Sequence, residues 1–281
     1  MGYVDALVNH ELSEAHKRLV EALKSDLIFY YGPMTFETPR FFEELIRPNQ
    51  SKTRKLTVIL TTGGGAVEPV ERAVEIIRQR YQSVQFIVPD YAMSAGTIFC
   101  MSGNRIYMSK SSSLGPIDPQ VQRNDGTYVP AMGYLEQFEK IVEKSKTGKV
   151  SPAEIDMLRR LDLGDLNRYE QARNLTITLL KKWLVNYKFK YWKTHQSTPG
   201  KKGFAVTMEE KEERAEDIAK KLGDISLWHS HARHICIRTL RNELKLKIED
   251  YTENSGLSKN IAIYYGLAID YIKALDHQDK T

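Results

Sequence analysis

Between Leu56 and Met108 the chain alternates short apolar runs with helix-like stretches, and this alternation restricts the fold more than any other feature. Leu56-Thr57-Val58-Ile59-Leu60 is apolar or β-branched throughout, the pattern of a strand buried on both faces. It runs into Thr61-Thr62-Gly63-Gly64-Gly65, after which Val67, Val70, Ala73, Val74 and Ile77 share one helical face. The cycle then repeats. Val84 to Val88 reads as a second buried strand, Pro89 to Met93 as a tight connection, and Ser94 to Ser102 as a helix of small residues. Arg105 to Met108 is a third strand, closed by Ser109-Lys110-Ser111-Ser112-Ser113. Strand, helix, strand, helix, strand at this spacing predicts an α/β fold with right-handed βαβ crossovers and a parallel sheet.

Around this centre, residues 12–25 form an amphipathic helix, Leu27 to Tyr31 a first strand ended by Gly32-Pro33, and Thr38 to Ile46 a helix with Pro39 at its first position. After Gln120 the pattern becomes helical, over 132–145 and 152–192. Ser197 to Gly203 is a flexible basic loop, and Thr207 to Leu222 a helix opened by the capping-box pair Thr207 and Glu210. Leu257 to Leu275 is a C-terminal helix. The expected division is a core with its N-terminal helix over 1–130, a helical extension over 131–225, and the core's final strand with the C-terminal helix over 226–281.

The net charge of +5 is mild, and the basic residues after Lys140 are interleaved with acids, so no nucleic-acid groove is expected. Cys100 and Cys236 are too few for a disulfide framework, which suits a reducing compartment. Charges run through the first 27 residues, and no stretch approaches the roughly 20 apolar residues of a membrane span. Ala6 stands where a myristoylation signal at Gly2 would want Ser or Thr. A soluble, cytoplasmic protein with no membrane partner is the expectation.

Two loops carry the chemistry. In a parallel sheet, the loops leaving the carboxyl ends of neighbouring strands converge on one crevice. Gly63-Gly64-Gly65 allows backbone N–H groups to face a ligand closely. Ser94, between Met93 and Ala95-Gly96, stands at a helix head. A hydroxyl nucleophile beside backbone donors is the minimum equipment for acyl transfer. A serine there also serves as an ordinary N-cap, and glycine turns also bind phosphate. No Gly-Lys-Ser/Thr follows the glycines, and Gly63, Gly65 and Glu68 do not make a dinucleotide fingerprint.

The glycine turn, Ala92-Met93-Ser94-Ala95-Gly96, and Ser113-Leu114-Gly115-Pro116-Ile117-Asp118-Pro119-Gln120 together resemble the serine dehydrogenase proteinase family. That family is a branch of the Clp-protease, signal-peptide-peptidase-A and crotonase fold. The resemblance covers about residues 55–122 and returns more weakly at Trp228 to Leu246. It implies a Clp-protease/crotonase-like parallel sheet of repeated β-β-α or βαβ units with a helical extension. It also implies a serine peptidase with Ser94 as nucleophile and an oxyanion hole from Gly65, with Gly64 beside it, and Ala95. A peptide or protein substrate and a homo-oligomer follow from the same resemblance; no cofactor and no metal are expected. A crotonase-like acyl-CoA enzyme and an inactive or latent scaffold are the competing readings.

The general base departs from the Clp pattern, which has a histidine roughly where this chain has Asp118. Signal peptide peptidase A enzymes supply a lysine from the region of Lys140, Lys144, Lys146 and Lys149, but a lysine base must be desolvated to stay neutral. Here Glu139 and Glu143 lie among them. The stretch Trp228-His229-Ser230-His231-Ala232-Arg233-His234 matches the family's late strand. An exchange of places would give a rearranged triad of Ser94, His231 and Asp118, since triads are defined by geometry rather than chain order. A strand here puts His229 and His231 on one face and His234 on the other. His-x-His-x-x-His also resembles a zinc motif, but Arg233 replaces the aspartate that motif needs.

Overall fold

Residues 3–48, 53–122, 128–196 and 199–278 are described by the computed structural model. Gly2 and Ser197-Thr198, part of the expected basic loop, lie outside them. The chain divides into two units, Met1–Leu114 with Ile235–Thr281, and Gly115–His234.

The first unit begins with α1 (Tyr3–Leu23), β1 (Asp26–Tyr31), α2 (Thr38–Ile46), β2 (Lys55–Thr61), α3 (Val67–Arg80) and β3 (Ser83–Val88). It continues through β4 (Tyr91–Ala92), α4 (Ala95–Met101), β5 (Arg105–Met108) and β6 (Ser113–Leu114). The second unit holds the hairpin β7 (Gln120–Gln122) and β8 (Tyr128–Pro130), then α5 (Ala131–Ser145), α6 (Pro152–Arg159), α7 (Leu163–Trp183), α8 (Met208–Leu222) and α9 (Ile225–Trp228). The chain then returns to the first unit as β9 (Ile235–Cys236), α10 (Ile237–Asn242), β10 (Glu249–Asp250) and α11 (Ser255–Gln278).

The expected parallel α/β fold is what forms. A five-stranded sheet runs β1-β2-β3-β5-β10, every neighbouring pair parallel. Successive side chains on a strand point to opposite faces, and each face has its own cover. Leu27, Ile59 and Ile87 pack on one face against Ala15, Leu19 and Leu23 of α1 and Ile261 and Tyr264 of α11. On the other, Phe86 stands edge-on to Phe99 of α4 at 4.8 Å, Phe99 meets Phe42 of α2 at 5.5 Å, and Phe42 stacks on Tyr30 at 5.7 Å. One polar thread crosses the buried strands: Gln85 Nε2 donates to Thr57 Oγ1 at 2.7 Å, and Thr57 Oγ1 meets Ser25 Oγ at 2.5 Å. A small second sheet, β4-β6-β9, has β4 parallel and β9 antiparallel to β6.

In the second unit the helix expected over 152–192 is broken. Asp162 accepts from the N–H groups of Gly164 and Asp165, which starts α7 afresh after α6, and a π-turn over Leu184–Lys188 ends it. The capping box at the head of α8 is present as read, with Thr207 and Glu210 each accepting from the other's backbone N–H. The helix α5 covers the stretch read as 132–145.

Candidate active site

The glycine turn and the serine turn are tied together by backbone hydrogen bonds. Thr62 N–H donates to the Tyr91 carbonyl at 3.1 Å, and Met93 N–H donates to the Thr62 carbonyl at 2.9 Å. The chain then reverses, with Gly96 N–H donating to the Met93 carbonyl at 2.8 Å. Ser94, at φ 49 and ψ −116, is the first central residue of this reversal. Those angles lie close to a type II′ turn, whose first central position ordinarily takes glycine. Holding a serine there costs about 1–3 kcal/mol. Ser94 occupies the N-cap of α4, yet its side chain makes no capping hydrogen bond. The ordinary structural use of a serine at that place is therefore absent.

Gly64 packs directly against this serine. A Cβ there would stand 2.8 Å from Ser94 Cβ and 2.9 Å from the Met93 carbonyl oxygen. Gly64 has φ 104 and Gly65 φ 143, values that side chains resist. Gly64 N–H donates to Thr62 Oγ1 at 3.1 Å. Met34 N–H donates to the Gly64 carbonyl at 2.7 Å, and Ala66 N–H to the Met34 carbonyl at 3.0 Å. None of these bonds uses the N–H of Gly65. The Ala95 N–H belongs to the first turn of α4, where backbone donors have no intrahelical acceptor. Its nitrogen would be 3.4 Å from a Cβ on Gly64.

In the second unit, His231 Nδ1 lies 2.9 Å from Asp118 Oδ1. Asp118 is fully buried, and His231 keeps about a quarter of its side chain exposed. The other carboxylate oxygen, Oδ2, accepts from Gln120 Nε2 at 2.6 Å. With Asp118 ionised, the carboxylate only accepts, and Nδ1 of His231 is then the donor. In the neutral ring this leaves Nε2 unprotonated, the form a general base requires. The carboxyl end of α8 positions both partners. Ile117 N–H donates to the Leu222 carbonyl at 3.0 Å, and Trp228 Nε1–H to the Lys221 carbonyl at 2.7 Å.

The chain thus brings Ser94, Gly64, Gly65 and Ala95 together in the first unit, and Asp118 with His231 in the second. The segment around His231 is not the strand expected. His229 ends α9 in the left-handed conformation at φ 62, its N–H bonded to the Ile225 carbonyl at 2.7 Å, and extended pairing begins only at Ile235. With this short helix in place, Trp228 anchors on the carboxyl end of α8. His229, His231 and His234 therefore do not alternate across two strand faces.

Residues 33–197, more than half of the chain, match the family described as ClpP-like SDH-type serine proteinase. The chain belongs to that family. Two relatives come from Methanocaldococcus jannaschii. The uncharacterized protein MJ0137 is 29% identical over 143 residues, 50% of this chain and 45% of that protein. The uncharacterized protein MJ1495 is 30% identical over 104 residues, 36% of this chain and 34% of its own length. The matched region spans less than half of either relative. Among solved structures, a mutant of the 1510-N membrane-bound stomatin-specific protease in complex with a substrate peptide aligns with 16% identity and TM-score 0.46. That alignment covers 80% of this chain and 73% of the other. A second mutant of that protease gives 15% identity and TM-score 0.47, over 84% and 82%.

In this chain the four lysines weighed as bases are solvent-exposed. Lys140 and Lys149 lie on the surface, Lys144 pairs with Glu154 at 2.5 Å, and Lys146 pairs with Glu143 at 2.6 Å. The desolvation that would keep such a lysine neutral is missing. Three residues of the turn and the pair had no role assigned from sequence: Gln120 and Thr62, which stand inside the quoted motifs, and Met34. Gln120 alone left a signal, two residues after Asp118, where a short extended stretch sets both side chains on one face. Among the described residues no helix is long and apolar enough to cross a membrane.

Proposed function

We propose that this chain is a serine peptidase that cleaves peptide or protein substrates through an acyl-enzyme on Ser94. The observation that carries the reading is Ser94 itself, a serine held in a strained turn with its hydroxyl unspent, in a chain of a serine proteinase family. Strain of this kind persists only where surrounding structure over-determines it, and it gathers at reacting groups.

In this reading Ser94 Oγ attacks the scissile carbonyl while His231 Nε2 takes its proton. Asp118 holds the imidazole by Nδ1 and stabilises the imidazolium that forms. The N–H groups of Gly65 and Ala95 receive the oxyanion, and Gly64 keeps the turn close to the nucleophile. Collapse of the tetrahedral intermediate expels the amine, which takes the proton from His231. Water then attacks the ester with His231 again as base, which releases the acid and restores Ser94. The exposure of the lysines and the buried partner of His231 favour the histidine as base. A homo-oligomer belongs to the same proposal by resemblance, and a cytoplasmic setting by cysteine usage and charge pattern.

The test is intact-mass analysis after exposure to a fluorophosphonate, with wild type, Ser94→Ala and His231→Ala side by side. A single adduct on wild type, absent from Ser94→Ala and slowed by roughly three to four orders of magnitude in His231→Ala, is the expected result. An adduct unchanged in His231→Ala returns the role of base to a lysine. No adduct on a folded wild type sinks the peptidase reading.

A further inference from the structure

β1 is one of the two edge strands of the main sheet and, among the described residues, pairs only with β2. Gly32 N–H donates to the Thr61 carbonyl at 3.2 Å, so the backbone groups of Tyr30 and Ile28, two and four residues earlier, also turn toward β2. Those of Leu27, Phe29 and Tyr31 turn outward, and they make no hydrogen bond among the described residues. An outward row of N–H and C=O groups is a template for one more strand.

Two hollows flank this edge and share Phe29 and Ile272 as lining. One, of about 350 Å³, lies between α1 and α11 over His16 and Tyr264. The other, of about 430 Å³, lies at the carboxyl end of β1 and is lined by Tyr31, Phe41 and Glu37. Their combined wall is largely aromatic and aliphatic, with Asn9, Ser13, Thr35 and Thr38 as neutral polar members, and burial holds His16 below its ordinary pKa. Among the described residues Glu37 is the only lining side chain charged at neutral pH. Beyond Tyr31 the chain leads through Gly32 and Pro33 to Met34, whose backbone clasps Gly64 and Ala66 beside Ser94.

We propose that the outer edge of β1 binds an extended peptide segment, aromatic or aliphatic at alternate residues and carrying one basic residue, by adding it to the sheet. Backbone bonds to Phe29 and Tyr31 supply the affinity, and alternate side chains fill the two hollows. The basic residue meets Glu37 and the surrounding rings. A small molecule could fill one hollow, but it would leave the strand edge unpaired. As a site for the part of the substrate remote from the scissile bond, the edge rests on the peptidase reading; as a peptide site it does not.

The experiment uses the full chain with Ser94→Ala, which binds without cutting, and fluorescence anisotropy of a capped, fluorescein-labelled octapeptide. The peptide alternates phenylalanine with serine and has one central arginine. Saturable binding is expected, weakened about tenfold by Glu37→Lys, the weight of one charge-assisted hydrogen bond. Binding is abolished when the peptide's alternate amides are N-methylated. Glu37 is exposed and its side chain caps nothing, so the variant folds. In the Ser94 parent, Glu37→Lys leaves fluorophosphonate labelling unchanged. Binding without labelling of wild type would sink the peptidase reading and leave this one standing; labelling without binding does the reverse. Equal affinity of the N-methylated peptide, or indifference to Glu37→Lys, overturns the proposal. So does a concentration-dependent dimer that Tyr31→Ser dissolves, because the occupant is then a second copy of the chain.

Discussion

At the scale of single residues, Ser94 is where stability and chemistry oppose each other. Its φ of 49 suits glycine, and its Oγ caps no helix, so the fold gains nothing from a serine here. Ser94→Gly is therefore expected to stabilise the protein by about 1 kcal/mol. The relief of roughly 1–3 kcal/mol of strain outweighs glycine's added chain entropy of roughly 0.5–1 kcal/mol. Thermal denaturation reads the gain, and fluorophosphonate labelling falls to nothing; a variant less stable than wild type contradicts the strain argument. The serine and the glycines were legible in the sequence because turn chemistry is local, and three glycines after a buried strand have few other uses. The strain at Ser94 was not, since it comes from the Gly96–Met93 bond that closes the reversal around the serine. The Asp118–His231 pair was named from the resemblance, but its geometry rests on α9 and Trp228. The sequence pattern had pointed to a strand instead.

At the scale of elements, α8 does more than a charged surface helix. Its carboxyl end fixes Ile117 and Trp228, and its amino end is a cap with a charge-linked component. Glu210 is held at a pKa of about 2, below its ordinary 4.5, first by the hydrogen bond from Lys201 and then by the Thr207 N–H and by His195. A carboxylate whose folded pKa is depressed contributes stability above its unfolded pKa and loses it as pH falls through the folded one. Glu210→Gln keeps a capping residue of the right shape without the charge. Wild type is thus expected to melt higher than Glu210→Gln above about pH 4.5, with the gap closing as pH falls toward about 2. Melting curves across that range check it, and a gap that persists below pH 2 removes the charge from the account. This cap was readable in advance from Thr207 and Glu210 alone. The break between α6 and α7 was passed over because Asp162 sits inside an apolar periodicity that continues on either side of it.

At the scale of the whole molecule, the second unit is a single insertion into the first. The chain leaves the first unit after Leu114 and re-enters it at Ile235. These two residues are antiparallel partners in the small sheet, as are Ser113 and Cys236. An insertion whose ends already lie side by side can be replaced by a tight turn, and Asn-Gly suits a two-residue link between antiparallel strands. A chain of residues 1–114 joined through Asn-Gly to residues 235–281 keeps all five strands of the main sheet and both of its helical covers. It is expected to fold with a cooperative thermal transition and a far-ultraviolet spectrum of mixed helix and strand. It retains Ser94, Gly65 and Ala95, but lacks Asp118, His231 and all four lysines. Fluorophosphonate labelling of this folded remnant should therefore drop to the rate of an unactivated serine. Labelling at the full chain's rate would mean that the base lies within the first unit, and neither the histidine nor any of those lysines would then be the group that activates Ser94.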